Sequence, residues 1–596
     1  MRIAFRFILL AIALLVSVGA GAQERQIALT FDDAPRGDGI LLSGAERTER
    51  LIEALAAAEV RGAMFFANSN KVLDTEPAGR ERLRQYAAAG HTIANHSHSH
   101  PSANALPADA FLDDVRQAEE VLGKLPGYER FFRFPFLHEG RPRERRDAIR
   151  AGLAELGLKQ GYVTVDNYDY YLQALLSESI KSGAEFDEAA WRDLYVSVLT
   201  EAIEFYDAIA SQAFGRSPRH VLLLHENDLA ALFIDDLVAA LRKSGWQIIP
   251  ATAAYEDPIA DNEPETLFLN QGRVAALAAD AGWQPRDLVH AMENEAALRA
   301  RVVRAGMMNP PEGAYLKQSP PGKTPQKFAP GIVSLEDRHE YGITFSSDGR
   351  EMYFGVELGH RAEIRGARFE AGQWTEEAVV ARDDAHTFGD PYLTLDGYRL
   401  YFISNTPNAV SDDPKTFDIG YLQRGRDGWS EPRFLPPPIN TPTNEYYTSF
   451  SFDGALAFAS DRNAEREGDM DLYLAGRTRA TPGTIPQTEV TRLPGSVNTL
   501  AYEADPFLAH DGSYLIFGST RRSGLGYGDL YITFRGKDGV WGKAVSLGEP
   551  FNTAGHELCP FVTHDGRYFF YTSSKDIYWV DASVLEPFRA ASLSPE

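Results

Sequence analysis

Residues 26–35 read QIALTFDDAP, a short β-rich run that ends in two adjacent acids, Asp32 and Asp33. The later runs of this texture are residues 62–68, 91–96, 131–136, 161–166, 220–225 and 246–251. The helical patterns between them cover residues 46–59, 108–122, 143–156 and a long insertion over 187–214. Alternation of strands and helices predicts a parallel sheet covered by helices. Seven strands are one short of the usual barrel, so we predict a distorted, depleted (β/α) barrel.

The region after the barrel changes character twice. Helical patterns cover residues 272–281 and 285–305, and prolines then crowd residues 310–325, which is typical of a linker. We interpret His290 and the charged residues of these helices as a solvated face. From about residue 328 the chain reads as strands and turns.

An Asp-Gly dipeptide between alternating apolar residues recurs in this last region. The Asp residues are Asp348, Asp396, Asp453, Asp511 and Asp565. Asp-Gly is a strong hairpin signal, because glycine tolerates the positive φ of a tight turn. One hairpin and two further strands in about 50 residues form a propeller blade, so we predict an all-β propeller of five or six blades. The repeat resembles the WD-like repeats of TolB-type propellers.

The predicted organisation has four parts in chain order. They are a signal peptide over residues 1–22, a barrel domain over 23–257, a helical segment with a Pro-rich linker over 258–327, and a propeller over 328–596.

The signal peptide is predicted from its charge and hydropathy pattern. Arg2 and Arg6 precede an apolar run over residues 7–18, and Ala-Gly-Ala stands before Gln23. A membrane anchor is the alternative interpretation, but the run is shorter than the roughly 20 residues that a span requires. We therefore expect export to the periplasm or the extracellular space, with no transmembrane segment in the mature chain.

The amino-acid composition excludes some classes of binding partner and of bound metal site. The formal net charge is −25, and an acidic surface repels phosphate backbones, so we expect no nucleic-acid partner. The one cysteine, Cys559, excludes an intramolecular disulfide and a thiolate zinc site.

Two short stretches carry residues for metal chemistry. Adjacent carboxylates such as Asp32 and Asp33 repel each other unless a cation offsets them. His96 and His100 are four residues apart, so both imidazoles can reach one metal ion, whereas His98 points elsewhere. Two histidines and one carboxylate leave coordination positions open for water and substrate, which is typical of a catalytic metal site.

Five motifs in order now resemble the NodB-type polysaccharide deacetylases, the fourth family of carbohydrate esterases, over about residues 26–257. The motifs are Thr-Phe-Asp32-Asp33, His96-Ser-His-Ser-His100, Arg133-Phe-Pro-Phe136, Asp166-Asn-Tyr-Asp169-Tyr170 and Leu223-Leu-His225. Each follows a predicted strand, at the end of a barrel where active sites gather. The resemblance implies a distorted (β/α) barrel and metal-assisted hydrolysis of an acetyl group.

The resemblance also implies a role for each matched residue. Asp33, His96 and His100 would bind a divalent metal, with Zn²⁺ expected and Co²⁺ or another ion as alternatives. Asp32 would be the general base, held by Arg133, and His225 the general acid, oriented by Asp169. The Phe136 N–H would donate to the oxyanion, Leu223 would line the acetyl pocket, and Tyr170 stands where tryptophan usually walls the sugar pocket.

The function expected from this resemblance is removal of acetyl groups from an N-acetylated amino-sugar polysaccharide, such as peptidoglycan or a chitin-like polymer. The enzyme class would be a hydrolase acting on carbon–nitrogen bonds other than peptide bonds. An O-acetyl carbohydrate esterase is one alternative. The other is a cell-envelope binding protein in which the propeller recognises protein or glycan and the barrel is vestigial.

Overall fold

The structure is a computed structural model that describes residues 24–75, 77–267, 271–426, 428–463, 469–478 and 486–594. The predicted signal peptide lies outside these residues. Among the described helices, none has the length and apolar character to cross a membrane.

The predicted parallel sheet of seven strands is confirmed. Its strands are β1 (Arg25–Ala34), β2 (Met64–Ala67), β3 (Thr92–Asn95), β4 (Tyr128–Phe132), β5 (Lys159–Gln160), β6 (His220–His225) and β7 (Trp246–Ile248). They lie in the order β5-β4-β3-β2-β1-β6, and β7 also pairs with β1. Strand β1 pairs on both sides and is buried over most of its length, as its apolar sequence requires.

The predicted strand over residues 161–166 is wrong, since the fifth strand covers only Lys159–Gln160. The following residues leave the sheet edge at β4 and cross to β6. There the N–H groups of Thr164 and Val165 donate to Val221 O at 3.0 and 3.2 Å. This short segment cannot pair regularly with both sheet edges, so it spans the gap between β4 and β6 in the half-barrel.

Helices surround the sheet as predicted. They are α1 (Gly44–Ala57), α2 (Ser69–Asp74), α3 (Ala78–Ala88), α4 (Ala108–Leu122), α5 (Arg143–Glu155), α6 (Asp169–Lys181), α7 (Glu188–Phe214), α8 (Asp228–Lys243), α9 (Ala251–Ala254), α10 (Arg273–Asp280) and α11 (Glu295–Arg304). The helix predicted over residues 285–305 is interrupted, because Asn294 caps a new helix by accepting a hydrogen bond from Ala297 N at 3.0 Å.

Helices α10 and α11 belong to the barrel's hydrophobic core. Val274 and Leu298 are fully buried within the same cluster as Leu29 and Phe31 of β1. The predicted domain boundary at residue 257 therefore lies within a packed region, because the chain beyond it supplies buried side chains.

We expect a chain ending at Met308 to fold and a chain ending at Asp257 to unfold. The shorter chain loses many buried apolar side chains of residues 259–308, each contributing about 1.5–3 kcal/mol, which together rival the roughly 5–15 kcal/mol stability of a whole domain. Thermal unfolding followed by circular dichroism measures this. Equal cooperative transitions for the two chains would contradict the assignment of α10 and α11 to this core.

The C-terminal region is a propeller of five blades, so the lower predicted number is confirmed. The strands from the axis outwards are Glu340–Phe345, Glu351–Leu358, Arg361–Glu370, Gln373–Trp374 and Ala378–Ala381 in blade 1; Phe388–Leu393, Arg399–Ser404, Asp418–Gly425, Gly428–Trp429 and Arg433–Phe434 in blade 2; Glu445–Phe450, Leu456–Ser460, Asp471–Arg477 and Thr488–Arg492 in blade 3; Glu503–Leu508, Tyr514–Ser519, Asp529–Phe534 and Val545–Ser546 in blade 4; and Glu557–Val562, Tyr568–Ser573, Asp576–Asp581 and Gln326–Lys327 in blade 5. The pair Gln326–Lys327 comes from before blade 1 and so closes the ring. A last helix, α12 (Phe588–Leu593), follows blade 5.

The Asp-Gly dipeptides form the turns between the first two strands of each blade. All five glycines have positive φ, from 68° to 80°. We call the propeller face that carries these turns the turn face, and the opposite face, with the turns between second and third strands, the far face.

The turn face meets the barrel domain. The Arg477 guanidinium donates to both carboxylate oxygens of Asp287 at 2.8 and 2.7 Å. Arg304 lies 3.7 Å from Asp511, and Phe452 packs against the barrel core. The far face therefore points away from the barrel domain.

The Pro-rich segment is attached to the propeller. Tyr315 is buried in the propeller core, and its hydroxyl donates to Asp565 Oδ2 at 2.9 Å. Trp374 Nε1 donates to Gly313 O at 2.7 Å. A linker sequence thus contributes one buried aromatic anchor.

Candidate active site

The predicted site residues gather at the carboxyl ends of the parallel strands. Asp32 and Asp33 end β1, His96 follows β3, Arg133 follows β4, and His225 ends β6. The backbone at Asp33 and His100 has positive φ, 69° and 59°. Such strain in non-glycine residues is typical of functional sites.

Asp33, His96 and His100 converge. Each offers one ligand atom, and the three atoms lie within 4.8 Å of one another. His100 Nε2 is 3.5 Å from Asp33 Oδ1. Among the described residues this is the one group of three or more acidic, histidine or cysteine side chains with that spacing.

Both imidazoles are prepared as neutral ligands. Burial lowers the pKa of His96 to about 3 and that of His100 to about 4. His96 Nδ1 is 2.9 Å from the carbonyl oxygen of Arg133, so that nitrogen carries the proton and Nε2 keeps its lone pair.

The carboxylate of Asp33 fits a cation. Its Oδ1 is buried and has no hydrogen-bond partner. Burial alone would raise the pKa of Asp33, but the positive charge of Lys71, followed by that of His225, outweighs it and holds that pKa well below the usual value. A nitrogen–nitrogen–oxygen set with an unpaired anionic oxygen is a suitable donor set for a divalent metal ion.

Lys71 is a site residue that the sequence reasoning missed. Its Nζ lies 3.2 Å from Asp33 Oδ1, within ion-pair distance but without hydrogen-bond geometry. The available signal was position, because α2 begins directly after β2 and so at the same end of the barrel.

Asp32 is held by a buried arginine. Arg133 Nη1 donates to Asp32 Oδ1 at 2.6 Å. The same guanidinium donates to Thr30 Oγ1 and Tyr255 Oη at 2.8 and 2.9 Å. Burial raises the pKa of Asp32 despite the attraction of Arg133, so this carboxylate is a stronger base than a free one.

His225 and Asp169 form a close pair across from this cluster. His225 Nδ1 lies 2.6 Å from Asp169 Oδ1, and the backbone N–H of His225 donates to Asp169 Oδ2 at 2.9 Å. Burial alone would lower the pKa of His225, but Asp169 outweighs it, and the pKa is raised above its usual 6.5.

The remaining predicted residues line the same end of the barrel. The Phe136 ring is 4.6 Å from the His100 ring between centroids, and Tyr170 is 5.8 Å from His225. Leu223 is buried on β6, two residues before His225. His98 turns away, with its Nδ1 2.7 Å from Ser69 Oγ.

The interpretation of the linking helices as a solvated face is wrong for the residues next to the site. Glu293 is 6% exposed, and Tyr206 Oη donates to its Oε1 at 2.6 Å while Oε2 has no partner. Burial and the nearby Asp166 raise the pKa of Glu293, and burial raises that of Asp166 to about 7. The sequence periodicity did not indicate that Glu293 is buried, because the position of its segment against the barrel depends on tertiary packing.

Part of the chain is similar to known proteins. Residues 19–161 match the family model described as polysaccharide deacetylase. A peptidoglycan-N-acetylglucosamine deacetylase of Bacillus cereus is 30% identical over 114 residues, covering 19% of this chain and 37% of the relative. A chitooligosaccharide deacetylase of Rhizobium leguminosarum bv. trifolii is 31% identical over 103 residues, covering 17% and 42%. The chain thus spans about two fifths of the length of these curated relatives.

Solved structures are also similar to part of the chain. A family 4 carbohydrate esterase from Streptomyces lividans in complex with acetate is 20% identical with a TM-score of 0.26, covering 39% of this chain and 96% of that one. A peptidoglycan deacetylase from Bacillus subtilis is also 20% identical with a TM-score of 0.26, covering 39% and 91%.

The half-barrel carries the carboxylate–imidazole cluster of Asp33, His96 and His100. Residues 19–161 of this region match the polysaccharide deacetylase family model, which is the family that the sequence motifs resemble. The chain joins this domain to a five-bladed propeller.

Proposed function

We propose that the protein is an exported, metal-dependent hydrolase that removes acetyl groups from an N-acetylated amino-sugar polysaccharide of the peptidoglycan or chitin type. Export is supported by the signal-peptide pattern of residues 1–22. The substrate class is supported by the activities named for the two curated relatives.

Asp33, His96 and His100 would hold the metal ion, with Zn²⁺ the ion we expect. When bound, a divalent metal polarises the acetyl carbonyl and lowers the pKa of water. The donor set and its spacing are suited to an ion that keeps positions open.

The other side chains divide the proton transfers. Asp32 accepts a proton from the attacking water, whose oxygen bonds to the acetyl carbon. His225 then donates its proton to the leaving nitrogen as the carbon–nitrogen bond breaks, giving acetate and a free amine. The backbone N–H of Phe136, which has a left-handed conformation with φ of 58°, would donate to the developing oxyanion.

The observation that carries this proposal is that base, acid and metal-binding groups meet in one place, each with its supporting partner. The test is acetate release from acetylated chito-oligosaccharides, peptidoglycan and O-acetylated xylan, with and without a chelator. We expect release from the N-acetylated substrates, loss with chelator and recovery with Zn²⁺ or Co²⁺. Release from the O-acetylated substrate alone favours the esterase, and no release from any substrate favours a vestigial barrel.

Replacing Asp169 with asparagine is expected to move the alkaline limb of the pH–rate profile to lower pH by about one to two units. The general acid must be protonated, so activity falls as pH rises through the pKa of His225. Asp169 raises that pKa against the effect of burial, and its neutral replacement removes the support. Initial rates of acetate release across pH measure the shift. His98→Ala should keep the parent profile, and an unmoved alkaline limb in Asp169→Asn would contradict the assigned acid.

A further inference from the structure

Lys71 contacts the carboxylate of the ligand group formed by Asp33, His96 and His100. Its Nζ lies 3.2 Å from Asp33 Oδ1, and it donates to the carbonyl oxygen of the same residue at 3.5 Å. His100 Nε2 lies 3.5 Å from that same Oδ1. The ammonium of Lys71 and an imidazole of the ligand group therefore face one carboxylate oxygen.

Helix α2, which carries Lys71, is fixed against the loop that carries the two histidines. Asn68 Nδ2 donates to His96 O at 2.7 Å, which ties the residue before the helix to the start of the loop. The backbone N–H groups of the next two residues of the helix donate to the carbonyl oxygens of the next two residues of the loop, both at 3.2 Å. These three bonds hold the backbone of α2 beside the ligand group, and none of them involves the ammonium.

The positive charge of Lys71 balances the negative charge of Asp33. Among the described residues, the ion pairs of Asp33 are those with Lys71 and His100. Burial lowers the pKa of His100 to about 4, so this imidazole is neutral at pH 7. The buried Arg133 is bound to Asp32 instead. A divalent ion held by Asp33 Oδ1 would face the ammonium at short range, where like charges repel each other strongly.

The ammonium of Lys71 can turn away while the helix stays in place. The Lys71 side chain is 34% exposed, so solvent lies beside it. A lysine side chain is a compact charge on a flexible four-carbon stem, and its ammonium is strongly hydrated in water. The backbone bonds between α2 and the histidine loop do not change when the stem rotates. Asp33 is therefore paired with a cation that can be displaced.

We infer that Lys71 competes with the metal ion for Asp33: its ammonium neutralises the carboxylate in the empty site and is displaced when a divalent ion binds. This inference rests on the proposed metal site and assigns to Lys71 the control of its affinity. Because the ion must displace the ammonium, the affinity is lower than the three ligands alone would give. Affinity differences of this kind lie mostly in the dissociation rate, so the site exchanges its ion more readily.

The first test follows Lys71 in the unchanged full-length protein. Chelator-treated protein and the same protein with Zn²⁺ are briefly acetylated with acetic anhydride, and mass spectrometry measures the modified fraction of each lysine. We expect Lys71 to react about fivefold faster with Zn²⁺, the factor by which a partly exposed ion pair protects its members. Lys124, an exposed lysine after α4, should react equally in both samples. Equal reactivity of Lys71 in the two samples overturns the inference.

The second test compares Zn²⁺ affinities by isothermal titration calorimetry. Lys71→Met removes the charge and keeps an unbranched side chain, and Lys124→Met is the matched control. We expect Lys71→Met to bind Zn²⁺ at least about tenfold more tightly than the parent, which is the smaller end of the effect of one neighbouring charge. Lys124→Met should bind like the parent. Equal affinities of the two variants, or weaker binding by Lys71→Met, overturn the inference.

Failure of this inference is distinguishable from failure of the proposed function. Zn²⁺ binding by the parent without tightening in Lys71→Met contradicts only the role of Lys71. A parent that binds no Zn²⁺ contradicts the proposed metal site itself. The acetylation test needs no variant, so it decides the inference even if Lys71→Met does not fold.

Discussion

Replacing Asp32 with asparagine is expected to lower kcat about a thousandfold while metal binding is retained. The amide keeps the shape of the side chain but has no basic oxygen to accept the water proton. Asp32 is not among the three converging ligand groups, so Zn²⁺ measured by equilibrium dialysis should remain near one per chain. Acetate release under saturating substrate gives kcat.

The folded state should survive this change. Arg133 is buried, and breaking a buried ion pair typically costs about 3–5 kcal/mol. Arg133 nevertheless keeps acceptors in Thr30, Tyr255 and the carbonyl of Gly161, the last at 2.7 Å. A cooperative thermal transition in Asp32→Asn would separate lost chemistry from lost structure.

Asp33→Asn is the matched control for the adjacent carboxylate. It should fail in metal binding as well as in turnover, because Asp33 belongs to the converging group and its Oδ1 lies 3.5 Å from His100 Nε2. Parent-like turnover of Asp32→Asn would refute the base assignment, and parent-like metal binding by Asp33→Asn would refute the ligand assignment.

The sequence predicted those parts of the fold that depend on local pattern. The seven parallel strands and the five blades follow from apolar runs and Asp-Gly turns, whose φ requirement is set by adjacent residues. The site motifs were placed together for a similar reason, since strands of one parallel sheet end at the same edge.

The parts that sequence reasoning missed depend on contacts between distant segments. Residues 161–166 have the composition of a strand, but neither edge of the sheet offers them regular pairing. Glu293 and Lys71 reach the site through packing of the segments that carry them, and no spacing rule connects those segments to the motifs. Tyr315 likewise anchors a Pro-rich segment through a hydroxyl bond to Asp565, 250 residues away.

Replacing His96 or His100 with alanine is expected to abolish both metal binding and acetate release, whereas His98→Ala should keep both. Removing either imidazole leaves only two ligand groups from this chain. Loss of a residue that merely supports a ligand weakens metal binding about 10–100-fold, so loss of a ligand itself should weaken it by more than about a hundredfold. His96 is buried, and the hydrogen bond from its Nδ1–H to Arg133 O fixes the ring. We therefore expect the larger loss of metal binding in His96→Ala.

His98 provides the control because it shares the motif but not the cluster. Its ring bonds to Ser69, and its backbone N–H donates to Asp114 Oδ1 at 2.7 Å, so the loop keeps an anchor when the ring is removed. Equilibrium dialysis with Zn²⁺ and acetate release measured on the same samples give the two readouts. If all three variants lost metal equally, the loop between β3 and α4 would be acting as a structural unit, and the geometric selection of His96 and His100 would be wrong. If His98→Ala alone kept metal and activity, the spacing of four residues would be established as the ligand pattern of this site.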